Sequence, residues 1–279
     1  MNIACSTLPF RSYPLSGALG KIASFGIKRV ELCVDPFHSE PTRWKEQPKE
    51  IKLLVEHSSL VINSIHVPVP EEIPGSSYDT VREDWSLNTK KSIDLAAFLG
   101  APFVVQHVRI FETPGGSRSD AILRKAVPDL FEIARYAATR EIKVAIENTP
   151  SSTERMLGSD VKELMNVVDM LPEDTVGICL DLSHLLACGR DPVEELESIN
   201  IQRLISVHAS DNNSNQLKDI HLPLGVGDIP WRRILDILES LRFRGSFVIE
   251  VVGEGENGDK ALTDSLNFLR EIHNFDDWP

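Results

Sequence analysis

Eight short β-branched runs alternate with longer amphipathic stretches along 279 residues. That alternation predicts an α/β chain folded as a (β/α)8 TIM barrel. Two further observations agree. Several runs are almost continuously apolar in the middle, as strands covered on both faces are. No stretch rich in Gly, Ser or Pro divides the chain, so residues 1–279 are expected to form a single domain. A doubly wound open sheet is the rival fold, but it usually carries a glycine-rich turn after its first strand, and STLPFRSYP offers none.

The first strand is expected over Asn2–Thr7, followed by a helix at Leu15–Phe25 that stops at Gly26. Strands two and three are expected at Arg29–Asp35 and Val61–Val67. The amphipathic run Glu83–Leu99 ends at Gly100 and leads into strand four, Phe103–Val108. A helix over Ala121–Thr139 precedes strand five, Lys143–Thr149. Asp160 can cap a helix at Val161–Met170, which ends before Pro172. Strands six, seven and eight follow at Val176–Asp181, Leu204–Ser210 and Ser246–Val252, with helices at Trp231–Leu241 and Lys260–Ile272. The loops PVPEEIPGSSYD and FETPGGSRSD follow strands three and four, on the face where barrels collect function.

The formal charge of −13 repels nucleic acid and anionic membranes at long range. The first residues, MNIACSTLPF, lack the basic flank and apolar core of a signal peptide, and no apolar run is long enough to span a bilayer. A cytoplasmic protein is expected. None of Cys5, Cys33, Cys179 and Cys188 forms a C-x-x-C pair, so they read as small buried hydrophobes in a reducing compartment.

Polar residues gather at the predicted strand ends. His66, His107 and His208 end strands three, four and seven, His184 follows strand six, and His221 lies beyond strand seven. Glu147, Asp181, Asp219 and Glu250 join them. Alone, a histidine at a strand end is an ordinary hydrogen-bonded residue. Glu147 and Glu250, however, interrupt apolar runs, and an unpaired buried carboxylate is costly. Neutral imidazoles beside carboxylates form a ligand set for a divalent metal ion. Glu147, Asp181, His208 and Glu250, from four strands, can meet near the barrel axis around one Mn, Zn, Mg or Co ion. Asp219 and His221 would point the same way on an extended backbone.

On these residues the chain resembles the xylose isomerase-like TIM barrel superfamily, which contains sugar phosphate isomerases and epimerases and the endonuclease IV family. VELCVD, IENTP, GICLDLSH, VHASDN, HLPLGVGDIPW and VIEV carry the resemblance. It implies one metal on Glu147, Asp181, His208 and Glu250, with Glu147 and Glu250 also a catalytic acid/base pair. The endonuclease IV alternative implies up to three zinc ions. His66, His107 and Glu147 would hold the first, Glu147 with Asp181, His208 and Glu250 the second, and His184, Asp219 and His221 the third. The run DPFHSEPTRW lacks the character that DNA-binding relatives show there, and ASDNNSNQLK stands where well-studied ketose epimerases carry an arginine.

The expected activity is therefore metal-dependent isomerisation or epimerisation of a sugar, sugar phosphate or related hydroxy-carbonyl compound. The alternative is a multinuclear zinc phosphodiesterase acting on abasic-site DNA, and a non-catalytic binding module is the third reading. The substrate class is small and carbohydrate-like, nucleic acid and membrane are not expected partners, and the resemblance implies homo-oligomers. Arg109 and Arg118 are candidates for a substrate phosphate or carboxylate, though a salt-bridged role explains them too. Phe10, Phe37 and Trp44 could wall a pocket or fill core, Trp85 and Trp231 read as packing residues, and GVGD reads as the bend that sets the Asp219–His221 loop.

Overall fold

The computed structural model describes residues 1–33, 48–68, 78–108, 117–150, 157–215, 217–252 and 256–273. Its strands are β1 Asn2–Ser6, β2 Arg29–Cys33, β3 Val61–His66, β4 Phe103–His107, β5 Lys143–Glu147, β6 Val176–Asp181, β7 Leu204–Ala209 and β8 Ser246–Ile249. All pair in parallel in sequence order, and β8 closes on β1 with Asn2 opposite Ser246 and Cys5 opposite Ile249. The result is a (β/α)8 barrel.

Side chains alternate along each strand. Val144, Ile146, Ile178, Leu180, Val207, Phe247 and Ile249 join the large apolar layer shared with the helices, while Phe103, Val105, Ala145 and Cys179 form a small separate cluster. The period of two carries this second set upward from Val105 to His107, Ala145 to Glu147 and Cys179 to Asp181. His107 pairs with Glu147, and Asp181 with His208, so the polar residues arrive in register at one end of the barrel.

The helices are α1 Leu15–Ser24, α2 Pro48–His57, α3 Tyr78–Leu99, α4 Arg118–Ala121, α5 Val127–Ala138, α6 Val161–Val168, α7 Leu182–Ala187, α8 Pro192–Ser198, α9 Trp231–Ser240 and α10 Glu256–Ile272. A π-helical turn at Ile122–Ala126 joins α4 to α5. Pro128 lacks the amide hydrogen that the Arg124 carbonyl would accept, and the ladder widens there. Asp160 caps α6 as its sequence predicts, accepting from the Glu163 amide at 2.7 Å.

Three helices depart from the sequence reading. α2 buries only Ile51 and Val55, too few positions to mark a period. In α7 every residue is buried, so LSHLLA has no polar face to set a helical period, and from sequence it is only the stretch after strand six. α8 is short and rests on its cap, Asp191, which accepts from the amides of Val193 and Glu194. Several strands also end one to three residues before their predicted limits, although Thr7, Val67 and Glu250 still donate their amides to the neighbouring strand. Among the described residues, no helix is long and apolar enough to cross a membrane.

Candidate metal centre at the barrel mouth

Glu147, at the end of β5, is the hub. It is fully buried, and four imidazoles surround it. His66 Nε2 lies 3.1 Å and His107 Nε2 2.6 Å from its Oε2, while His208 Nδ1 lies 3.1 Å and His184 Nδ1 3.5 Å from its Oε1. Glu250, one residue beyond β8, approaches His208 Nδ1 at 2.7 Å. Asp181 ends β6 and caps α7, its Oδ1 accepting from the His184 amide at 2.7 Å. Asp219 bridges two imidazoles, with His221 Nε2 at 2.9 Å and His184 Nε2 at 3.4 Å.

Local structure fixes these positions. Asn148 clamps Asp181 through two bonds. Its Nδ2 donates to the Asp181 carbonyl at 2.9 Å and its Oδ1 accepts from the Asp181 amide at 2.7 Å. Asp211, fully buried after β7, exchanges backbone bonds of 2.8 Å with Leu222 and so pins the Asp219–His221 loop against the strand end. Its carboxylate accepts from the amides of Asn212, Gly225 and Ile229 and from Trp231 Nε1. The GVGD bend is thus tied to Asp211. Gly225 has φ 83°, and a Cβ there would run into the Phe268 ring. His221 has φ 42°, so the pairing with Asp219 comes from a left-handed turn and not from the extended backbone its spacing predicts.

Three of the five imidazoles share one arrangement. His66 Nδ1 donates to the Val67 carbonyl (3.0 Å), His184 Nδ1 to the Asn148 carbonyl (2.8 Å) and His221 Nδ1 to the Glu250 carbonyl (2.9 Å). A carbonyl only accepts, so each Nδ1 carries a hydrogen, and the other nitrogen faces a carboxylate oxygen. Two lone pairs at about 3 Å repel unless a proton or a cation lies between them. With protons alone, burial pulls His66 down, but its hydrogen bond to Glu147 and the nearby carboxylates prevail and raise it to about 9. His221 is likewise raised to about 9, burial being outweighed by Asp219. Burial pushes Glu147 up, and the charges of His107 and His208 hold it well below the usual carboxylate range. Burial similarly opposes ionisation of Glu250, and His208 brings it down to about 2. Asp181 is raised by burial, and its buried Oδ2 has no hydrogen-bond partner.

A bound divalent cation would satisfy that orphaned oxygen and the facing lone pairs together, so the donor set fits one. Donor atoms of Glu147, Asp181, His208 and Glu250 lie within 4.8 Å of one another, as do those of His66, His107 and Glu147 and those of Asp181, His184 and His221. Above them is a cavity of about 470 Å3 whose wall includes Leu8, Arg11, Ile220 and Val252.

All nine predicted ligand residues therefore meet at one barrel end. Arg109, Phe37 and Trp44 lie outside the described residues. Arg118 forms a two-pronged pair with Glu163 at 2.7 and 2.8 Å. Phe10 is fully buried in the apolar core, and Trp85 Nε1 donates to the His107 carbonyl at 3.3 Å. The sequence reading passed over Arg11, Asn148 and Glu31. Glu31 was detectable by the logic that exposed Glu147 and Glu250, a carboxylate breaking an apolar strand, VELC.

The family model described as xylose isomerase-like TIM barrel matches residues 19–272. The chain belongs to that family. Within the xylose isomerase-like TIM barrels, it is 28% identical over 254 residues to the uncharacterized protein MJ1311 of Methanocaldococcus jannaschii, covering 90% of this chain and 83% of the relative. It is 26% identical over 244 residues to a probable endonuclease 4 of Natranaerobius thermophilus, covering 77% and 81%. The solved structure of a D-tagatose 3-epimerase-like protein superposes with a TM-score of 0.78 at 26% identity, covering 97% of this chain and 99% of that one. The barrel is thus structurally close to an epimerase-like protein and carries several clusters suited to a divalent ion.

Proposed function

We propose that the protein is a metal-dependent isomerase or epimerase of a small carbohydrate-like substrate. One observation carries this reading: donor atoms of Glu147, Asp181, His208 and Glu250 converge beside a sugar-sized cavity that Glu147 and Glu250 help to line. The structural likeness to the D-tagatose 3-epimerase-like protein supports it. Those four residues would hold the ion, which supplies electrostatic stabilisation to negative charge developing on adjacent substrate oxygens.

The protein's own groups do the proton chemistry. Glu147 and Glu250 are held below the usual carboxylate range, so both are anions at neutral pH. One takes the proton from the carbon beside a carbonyl, and the bonding electrons spread onto the carbonyl oxygen. The other, or the same carboxyl, returns a proton to carbon. Arg11 stands on the cavity wall, where its guanidinium would face an anionic substituent of a bound substrate. The same reading takes the protein as cytoplasmic, self-associating and without a nucleic-acid partner, which cell fractionation, sedimentation and DNA-binding assays check.

The test is turnover of a ketose and inosose panel in D2O with added Mn2+, read by NMR. Deuterium should appear at carbon with the wild type and fall by about 10²–10⁴-fold in Glu250→Gln. No exchange with any substrate would contradict the proposal. A second reading, a phosphodiesterase of the endonuclease IV type, is favoured by the two flanking groups, His66–His107–Glu147 and His184–Asp219–His221, and by the probable endonuclease 4 relative. It requires three ions per chain and cleavage of abasic-site DNA.

A further inference from the structure

Glu31 takes no part in the ligand set described above, yet it is fully buried beneath it. β2 and β3 shift register between Val30 and Glu31, so Val30 pairs with Ile62 but Glu31 pairs with Ser64. Asn63 is thereby left over, and a polar chain runs through it. Ser246 Oγ donates to Asn63 Oδ1 at 2.8 Å, Asn63 Nδ2 donates to Ser64 Oγ at 2.9 Å, and Ser64 Oγ donates to Glu31 Oε2 at 2.6 Å.

The direction of this chain is fixed. A hydroxyl has one hydrogen, and Ser64, already accepting from the amide, must give its own to Glu31. Glu31 therefore ends the chain as an acceptor. Its two oxygens lie 3.3 and 3.4 Å from His208 Nε2, and Oε1 has no other hydrogen-bond partner. The opposite nitrogen of that ring, Nδ1, is the one facing Glu147 and Glu250.

We propose that Glu31 is a positioning residue for the metal centre: fixed by Ser246, Asn63 and Ser64, its carboxylate holds His208 with hydrogen on Nε2 and so aims the Nδ1 lone pair at the cation. The other three anchored imidazoles use backbone carbonyls for this purpose. His208, within β7, is the one served by a carboxylate, which also makes the imidazole a stronger donor. The inference rests on His208 being a ligand, as proposed above.

The test is calorimetric titration of chelator-stripped protein with Mn2+, comparing wild type, Glu31→Gln and Ser64→Ala. Circular dichroism monitors the fold, and 15N–1H spectra of the Zn2+-loaded protein read the His208 tautomer. Wild type should show hydrogen on Nε2. Glu31→Gln should bind about tenfold or more weakly with its fold retained, and Ser64→Ala should be weakened less but measurably. If Glu31→Gln does not fold, Ser64→Ala decides. Affinity within twofold of wild type in the folded variants, or hydrogen on Nδ1 of His208, would overturn the inference while leaving the metal centre intact. Failure of the wild type to bind any divalent ion would bring down both.

Discussion

His66, His184 and His221 each give Nδ1 to a backbone carbonyl and turn Nε2 toward a carboxylate. That arrangement demands a positive charge between the facing atoms, and its consequence for pH can be signed. An unfolded histidine titrates near 6.5. In the folded, cation-free chain His66 and His221 are raised to about 9. The folded state binds protons more tightly, so this stabilisation is complete below about pH 6.5 and is lost as pH rises through about 9. Metal-free protein should therefore melt at a lower temperature at pH 10 than at pH 7, and replacing both residues with Asn should flatten the difference. A melting temperature that climbs over that interval would contradict the arrangement. In the same residues, metal must displace protons, so apparent Mn2+ affinity should rise from pH 6 to pH 9. Among the candidate ligand residues, His66, His107, Glu147, Asp181, His208 and Glu250 were legible because each breaks an apolar run at a predicted strand end with a donor, and His184, Asp219 and His221 because they cluster just beyond such ends. Asn148 and Arg11 were not, since an amide or an arginine in a loop carries no such contradiction, and their roles depend on contacts made across the barrel.

At the scale of elements, the loop after β7 depends on one carboxylate. Asp211 is fully buried and accepts four hydrogen bonds, from Asn212 N, Gly225 N, Ile229 N and Trp231 Nε1. Asp211→Ala leaves those donors buried and unpaired, so urea unfolding should show a loss of about 3 kcal/mol or more. The same change should weaken any metal binding that uses His221, because the Gly225–Ile229 bend behind it loses its side-chain anchor. Gly177→Ala tests packing between strands, since a Cβ there would lie 2.5 Å from the Arg203 carbonyl oxygen and 2.7 Å from Ile205. It should cost about 1–3 kcal/mol, measured the same way. The eight strands could be read from apolar runs and the longer helices from period and stops. α7 could not, because a helix buried on every side has no polar face to set its period. The left-handed turn at His221 was equally hidden, being imposed by the Asp211–Leu222 bridge and not by local preference.

For the whole molecule, barrel closure brings side chains from distant parts of the sequence onto one small volume. Glu31 and His208 are separated by 177 positions, yet lie 3.3 Å apart. The charge of −13 disfavours long-range approach of polyanions, and the carboxylates gathered at the barrel mouth add negative charge where a small cation would sit. Since a cation bound there stabilises only the folded chain, Mn2+ or Zn2+ at about a hundred times its dissociation constant should add about 2.7 kcal/mol to stability, and chelation should remove it. The most direct measurement is elemental analysis of the purified, dialysed protein beside its Glu147→Ala variant, with melting temperatures recorded before and after metal is supplied. The wild type should retain about one divalent ion or more per chain and melt at a higher temperature with metal, while the variant loses both properties. A wild type that holds no ion, and melts at the same temperature with or without Mn2+ and Zn2+, would contradict a cation among the buried carboxylates.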